Sequence, residues 1–245
     1  MVATNNIRNI VLLGHGGSGK TSLAEAVLHT TGATNRLGSV DDQTSVCDYY
    51  EEEKQHQHSI QSAIVHTEYG GKLINIIDTP GYPDFIGPAI TTIPAAETVI
   101  IVISATAGIE TNTRKLFELA TKANKPRVIV VNKIDAENID LPGLIRSIRE
   151  TFGSQCRCAN LPDPDKESVI DCIENETGES PLMDVAQAHT ELIESVIEAD
   201  DNLMESYLGG EEISAEKIAS VFVKALNTGT IIPIEIGRAS CRERV

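Results

Sequence analysis

The sequence predicts an α/β fold, namely a doubly wound, mostly parallel β-sheet with helices on both faces and a small, mostly helical insertion. Two observations predict this fold class. Short apolar runs alternate along the chain with segments of helical periodicity. Most of these runs also lack the polar–apolar alternation of a half-exposed strand, which favours strands buried on both faces. With 245 residues and 41% hydrophobic content, the chain is long enough for one large domain or one domain with an insertion.

The predicted strands lie in the first half of the chain and near its end. Gly70 and Gly71 separate two of them and favour a tight hairpin turn. Helical segments follow the first strand and lie between and after the strands at 99–104 and 127–132, as in parallel sheets. The strands are expected at about residues 7–14, 61–68, 73–78, 99–104, 127–132 and 230–234.

Helical periodicity begins directly after the glycine-rich residues 14–19 and stops at Gly32. Residues 33–60 are polar and have no consistent period, which predicts a long loop, and residues 153–181 are rich in Pro, Asp and Gly and are expected to be irregular. We therefore predict one domain over residues 1–234, with an insertion at about 153–228. Further helices are expected at roughly 110–124, 141–152, 182–199 and 214–227.

Composition and charge exclude several classes of protein. The formal net charge of −16 argues against a broad contact with DNA, because such a contact needs a basic surface. No apolar run reaches the ~18 residues of a membrane span, and no secretory signal opens the chain, so we expect a cytoplasmic protein with reduced thiols. Cys156 and Cys158 form a Cys-x-Cys pair, but no second pair accompanies them at the spacing of a zinc site.

The last eleven residues differ from the rest of the chain. Residues 235–245 (EIGRASCRERV) hold three arginines and a cysteine without periodicity, and their back-translation corresponds to a common sequencing adapter. We therefore expect a non-native tail here and a natural protein that continues past Ile234 into further domains.

An octapeptide between the first strand and the first helix carries the most specific chemistry. GHGGSGKT at residues 14–21 fits the pattern G-x-x-x-x-G-K-[ST] of a phosphate-binding loop, or P-loop. Glycines let successive backbone N–H groups surround phosphate oxygens. Lys20 places a positive charge at the β- and γ-phosphates, and the Thr21 hydroxyl is a ligand for Mg²⁺. The motif and its strand–loop–helix context predict a P-loop NTPase.

Two further motifs follow predicted strands. In NKID (residues 132–135), the Asp135 carboxylate can accept from N1–H and the 2-amino group of guanine, a pattern that adenine lacks. Asn132 is expected to hold the P-loop and the O6 side of the base, and the Lys133 stem to pack along the ring. In DTPG (residues 78–81), Asp78 is placed to reach Mg²⁺ through water, and the Gly81 N–H to sense the γ-phosphate.

These residues resemble the translational GTPases, and among them the elongation factor G family, in particular its elongation factor G-like branch. The resemblance covers nearly all of residues 5–234. Besides GHGGSGKTS and NKID, residues 45–63 (SVCDYYEEEKQHQHSIQSA) look like that family's first switch, and residues 78–85 (DTPGYPDF) look like its second. We name these the first and second switch segments. The resemblance implies a GTPase that binds GTP or GDP with Mg²⁺ and has the ribosome as partner.

The sequence departs from the family pattern at several positions. Tyr82 replaces the histidine of the family's DTPGH, which positions the attacking water, and a phenol with a pKa of about 10 is a poor acceptor for a water proton. Gly17 replaces an aspartate found in many relatives. Ser59 stands at the threonine of the family's ERGIT and keeps the hydroxyl that Mg²⁺ needs. His56 and His58, in the same stretch, lack further ligands for a metal of their own.

All the candidate site residues belong to one of these motifs. Catalytic roles are expected of Lys20, Gly81 and Tyr82, and metal ligation of Thr21, Ser59 and Asp78. Nucleotide contacts are expected from Gly14, His15, Gly16, Gly17, Ser18, Gly19, Lys20, Thr21, Ser22, Asp78, Thr79, Pro80, Gly81, Asn132, Lys133 and Asp135.

Two other functions are compatible with parts of this pattern. Tyr82 and the altered first switch segment also suit a GTP-binding module that switches by nucleotide exchange and barely hydrolyses GTP. An ATPase of another P-loop class suits the phosphate loop but conflicts with Asn132 and Asp135.

Overall fold

A computed structural model describes residues 3–209 and 214–237 of the chain. Seven strands form one sheet in the order β2-β3-β1-β4-β5-β9-β6, and two more form a small separate sheet. All pairings in the large sheet are parallel except that of β2 with β3. The strands are β1 (Ile7–Leu13), β2 (Ala63–Tyr69), β3 (Lys72–Asp78), β4 (Thr98–Ser104), β5 (Arg127–Asn132), β6 (Cys156–Cys158), β7 (Asn160–Pro162), β8 (Val169–Asp171) and β9 (Ile232–Ile236).

Helices cover both faces of the large sheet, which confirms the predicted α/β fold class. Adjacent residues of β1 show this arrangement, because Val11 and Leu13 join the larger apolar cluster while Leu12 joins a smaller cluster with Ala24 of the first helix. The helices are α1 (Lys20–Thr30), α2 (Glu51–His56), α3 (Ile86–Thr92), α4 (Thr111–Lys122), α5 (Leu141–Phe152), α6 (Val185–Ile197), α7 (Asp201–Leu208) and α8 (Ala215–Thr228).

The structure corrects the sequence prediction in the two segments expected to be irregular. The predicted loop over 33–60 contains the short helix α2, whose first turn is capped by a carboxylate. The segment 153–181 contains β6, β7 and β8. Each of these strands has only three residues, too few to show an apolar period. Strand β6 pairs with the distant β9, whereas β7 and β8 pair with each other as a short hairpin.

The end of the insertion also differs from the prediction. Two helices were expected, but three are present, because Asp200 ends the α6 region and caps α7 by accepting a hydrogen bond from the Leu203 N–H at 3.3 Å.

Strand β9 pairs with β5 and reaches Ile236, so it includes two residues of the predicted non-native tail. Residues 238–245 of that tail lie outside the described residues.

Within the described ranges, none of the helices is both long and apolar enough to cross a membrane.

Candidate nucleotide-binding site

The three motifs meet at the carboxyl-end edge of the parallel strands. The P-loop follows β1, Asp78 is the last residue of β3, and Asn132 is the last residue of β5. Strand β1 is paired with both β3 and β4, and β4 is paired with β5, so the ends of β3, β1 and β5 lie at one edge of the sheet with β4 between β1 and β5. Ligands of open α/β sheets bind at this edge.

The P-loop leads directly into α1, whose first residue is Lys20. The Lys20 ammonium is buried and donates hydrogen bonds to the carbonyls of Gly14 at 3.2 Å and His15 at 2.9 Å. Burial lowers the pKa of Lys20 to about 8, and the nearby Asp78 carboxylate opposes this shift. The N-terminus of α1 adds unpaired N–H groups and a positive partial charge at the same place. The loop is therefore built to receive an anion.

Asn132 joins the P-loop to the loop that carries NKID. Its side-chain amide donates to the Ser18 carbonyl at 3.0 Å, and its oxygen accepts from the Lys133 N–H at 2.8 Å. Lys133 takes a left-handed backbone conformation, with φ of 63°, and both Lys133 and Asp135 are exposed. Lys133 and Asp135, which are expected to contact the base, are thus exposed to solvent. Asn132, which is expected to hold the loop, is buried and hydrogen-bonded.

The three predicted metal ligands surround one point. The Thr21 hydroxyl donates to Oδ2 of Asp78 at 2.6 Å and lies 3.4 Å from the Ser59 hydroxyl. The other carboxylate oxygen of Asp78, Oδ1, is buried without a hydrogen-bond partner among the described residues. Hydroxyl and carboxylate oxygens are the ligands that Mg²⁺ prefers, so these residues fit that ion.

Asp48, which the sequence analysis did not single out, belongs to the same cluster. Its Oδ1 accepts from the Ser59 hydroxyl at 3.3 Å, and the residue is 5% exposed. Burial raises the pKa of Asp48, and the neighbouring Glu53 raises it further. A second carboxylate therefore stands behind the predicted ligand Ser59. The only sequence signal for Asp48 was its position in the first switch segment. That segment holds several acidic residues, and the folded loop is needed to show that Asp48 is buried.

Glu53 holds the first switch segment in its folded shape. One oxygen of its carboxylate accepts from the N–H groups of Tyr49 and Tyr50, and the other accepts from those of Ile60 and Gln61, all at 2.9–3.2 Å. Glu53 is 1% exposed. Because Tyr49 follows Asp48 and Ile60 follows Ser59, this carboxylate brings the two site residues together.

The second switch segment lies against the P-loop at Gly81. A side chain at this position would collide with the Lys20 ammonium and the His15 carbonyl, so glycine is what allows the close approach. The Gly81 carbonyl accepts from the side chain of Asn112 in α4 at 3.1 Å, a contact that the sequence analysis missed. The Thr79 hydroxyl donates to the Leu12 carbonyl at 2.6 Å and fixes the turn to β1.

His15 is a P-loop residue with almost no access to solvent, at 1% exposure. Its Nδ1 lies 3.1 Å from the Thr113 hydroxyl of α4, and burial lowers its pKa. The imidazole therefore connects the loop to α4, while its carbonyl accepts from Lys20.

Replacement of Asp78 by Asn is expected to stabilise the nucleotide-free chain while it weakens the metal site. Burial raises the pKa of Asp78 from 3.8 to about 6, so at pH 7 the folded chain holds an ionised carboxylate at a cost of about 1–3 kcal/mol. A raised pKa means that this group favours the folded state increasingly as pH falls from above 6 towards 4. Asp78→Asn should therefore raise the free energy of unfolding at pH 7, and the difference from wild type should shrink near pH 4.

Urea unfolding at the two pH values measures this difference, with Asp84→Asn in the same switch segment as the exposed control. Asp78→Asn should also lose the tightening by Mg²⁺ of the GTP binding that the sequence resemblance implies. A variant that is less stable than wild type at pH 7 would contradict the expectation.

The fold, and the geometry at the carboxyl-end edge of its parallel strands, are those of the P-loop nucleoside-triphosphate-binding proteins. The family model of the elongation factor Tu GTP binding domain matches residues 5–233. The chain belongs to this family of translational GTPases.

Individual relatives agree with the family. The chain is 32% identical to an elongation factor G-like protein of Mycobacterium tuberculosis over 93% of its length, and 32% identical to an elongation factor G of Fervidobacterium nodosum over 97%. It is 34% identical to a tetracycline resistance protein of Butyrivibrio fibrisolvens over 95% of its length. A crystal structure of a Thermus thermophilus protein matches 97% of the chain with a TM-score of 0.86 and 31% identity.

The chain spans only part of each of these relatives. The matches cover 34% of the Mycobacterium protein, 37% of the Fervidobacterium protein, 34% of the Butyrivibrio protein and 38% of the Thermus chain. The family-model match over residues 5–233 contains all three motifs of the site.

Proposed function

We propose that the chain binds GTP together with Mg²⁺ and hydrolyses it to GDP and phosphate, as the GTP-binding domain of an elongation-factor-G-like GTPase that acts on the ribosome. The observation that carries the proposal is the meeting of the P-loop, the acidic end of β3 and the NKID loop at one sheet edge, where Asn132 bonds to the Ser18 carbonyl at 3.0 Å. The residues proposed to recognise the phosphates, the metal and the base thus all lie at the same edge of the sheet.

Each group has a defined task in this proposal. The Lys20 ammonium exchanges its two carbonyl partners for phosphate oxygens and neutralises their charge. Thr21, Ser59 and Asp78 would hold Mg²⁺, which when bound neutralises charge on the β- and γ-phosphates. Asp135 reads the guanine edge, and competition of GTP and ATP for a fluorescent GDP analogue tests this assignment against an ATPase. Preference for ATP would reject it.

The nucleotide state is expected to be reported by residues 39–60 and 79–90, which GTP with Mg²⁺ would order and hydrolysis would release. Support comes from Ser59 and Gly81, because each segment brings one of them against the P-loop. Stopped-flow measurement of GTP turnover with and without ribosomes tests the partner. A rate that ribosomes leave unchanged in the full-length protein would reject the ribosomal part of the proposal.

A second candidate function, a GTP-binding switch with little hydrolysis, is favoured by Tyr82. This side chain is 44% exposed and carries a phenol where the family has a water-positioning histidine. Exchange of nucleotide rather than hydrolysis would then reset the switch.

The substitution Tyr82→His distinguishes these two functions. We expect it to raise the rate of GTP hydrolysis by about 10-fold, because a neutral imidazole accepts a hydrogen bond from water and a phenol with a pKa of about 10 does so poorly. Single-turnover hydrolysis is the measurement, and Tyr69→His, on the exposed end of β2, is the matched control. An unaltered rate would show that Tyr82 does not limit hydrolysis.

A further inference from the structure

The two switch segments touch each other through a pair of aromatic rings. The ring of His58, from the first segment, lies 4.8 Å from that of Tyr82, from the second, at an interplanar angle of 56°. Phe85 flanks the same imidazole at 6.0 Å. The imidazole is thus packed against the residue that stands at the family's histidine position.

The Tyr82 ring of this pair lies directly against the P-loop because residue 16 is glycine. A Cβ atom at Gly16 would stand 3.1 Å from Cζ of Tyr82, which is closer than ordinary van der Waals contact. Ser59, the residue after His58, places its hydroxyl 3.4 Å from that of Thr21. His58 therefore lies between Tyr82, which packs against Gly16, and the proposed metal ligand Ser59, which follows it in the chain.

One nitrogen of this imidazole has no hydrogen-bond partner in the part of the chain that the structure describes. Nδ1 of His58 is buried and accepts or donates no hydrogen bond among the described residues. A buried polar atom in this position is unfavourable, because it has lost its hydrogen bonds to water and gained none from the protein. Such an atom, on a ring packed against the Tyr82 that borders the P-loop, indicates a group that a bound molecule completes.

We propose that His58 positions the water that attacks GTP, its Nδ1 accepting a hydrogen bond from that water; this inference rests on the proposed GTPase function. The water oxygen forms a bond to the γ-phosphorus while the bond from that phosphorus to the β–γ bridging oxygen breaks. The balance is GTP⁴⁻ + H₂O → GDP³⁻ + HPO₄²⁻ + H⁺, and the released proton passes through phosphate to solvent. His58 orients the water and keeps its own proton count throughout.

The division of labour then differs from that of relatives with histidine in the second switch. Here the first switch segment supplies the imidazole, which packs against the ring of Tyr82. Histidine at position 82 would keep an aromatic ring at this contact and add a second acceptor for the water. Closure of the first segment brings Ser59 and His58 to the P-loop in one movement, because they are neighbours in the chain. Hydrolysis is thereby tied to closure of the first segment.

The test compares substitutions of His58 with one at His56, whose ring stacks on that of His58 at 5.8 Å but is exposed. His58→Ala should lower the single-turnover rate of GTP hydrolysis by roughly 10- to 100-fold and leave GTP affinity within about 2-fold. His58→Asn should recover most of the rate, because its side-chain oxygen takes the place of Nδ1. His58→Gln places its polar group near Nε2 and should recover less, while His56→Ala should match wild type.

A second readout is independent of turnover. Binding of GDP with aluminium fluoride, followed by the fluorescence of a labelled GDP, should weaken in His58→Ala while binding of GDP alone does not change. A His58→Ala variant with the wild-type rate and aluminium fluoride affinity would overturn the inference alone. A parallel loss of GTP affinity and rate would show a merely structural role and also overturn it. If the wild-type chain hydrolyses no GTP, with or without ribosomes, the proposed function falls and this inference with it.

Discussion

Replacement of Lys20 by Met is expected to lower the affinity for GTP by at least roughly 100-fold. The Lys20 ammonium already points into the P-loop, where it donates to two backbone carbonyls at 2.9 and 3.2 Å, and phosphate oxygens would replace these partners. A hydrogen bond with a charged group contributes about 1.5–3 kcal/mol, and two such bonds account for a loss of this size. Methionine keeps the apolar stem and removes only the charge and the donors.

Titration of a fluorescent GTP analogue measures the loss, and Lys122→Met, on the exposed side of α4, serves as control. Because burial lowers the pKa of Lys20 to about 8, the charged ammonium destabilises the nucleotide-free fold at pH 7, and its removal should not unfold the chain. The variant should therefore remain folded by circular dichroism. GTP binding at wild-type strength would refute the assignment of the P-loop.

Replacement of Asp135 by Asn is expected to exchange guanine for xanthine specificity. The carboxylate accepts two hydrogen bonds from guanine, from N1–H and from the 2-amino group, whereas the amide of Asn offers one acceptor and one donor. Xanthine presents N1–H and an oxygen at position 2, which matches the amide. Affinity for GTP should fall by roughly 100-fold or more, and affinity for xanthosine triphosphate should rise.

Competition of the two nucleotides against a fluorescent GDP analogue measures this exchange. Glu137→Gln removes an exposed carboxylate from the same loop and should keep the preference for GTP. If Asp135→Asn still prefers GTP, another residue recognises the base.

The sequence predicted those parts of the site that are local in the chain. The P-loop is eight consecutive residues that follow a strand and lead into a helix, so its motif is contiguous in the sequence and can be recognised there. NKID and DTPG are equally compact, and each sits at the end of an apolar run that marks a buried strand. The parallel order of β3, β1, β4 and β5 then follows from the helices that separate the strands, and it brings the three motifs together.

The remaining features depend on long-range closure and left no such pattern. Glu51, Glu52 and Glu53 are identical letters in the sequence, yet the Glu51 side chain is 75% exposed and Glu53 is buried. Asp48 and Ser59 meet across eleven positions only because the loop between them folds back. The strands β7 and β8 were missed for a different reason, because each has only three residues, too few to show a period, although they pair with each other locally.

The carboxylate of Glu53 has a mechanical consequence for the first switch segment. Its four acceptor contacts all lie between Tyr49 and Gln61, so they close a ring within the segment and make no connection to the nucleotide. As long as this ring holds, residues 49–61 travel as one body, and the bending is confined to the chain on either side. In the proposed switch, the conformational entropy of residues 49–61 would then change little with the nucleotide. The ordering proposed for GTP would act mainly on the chain that flanks this ring and on the second switch segment.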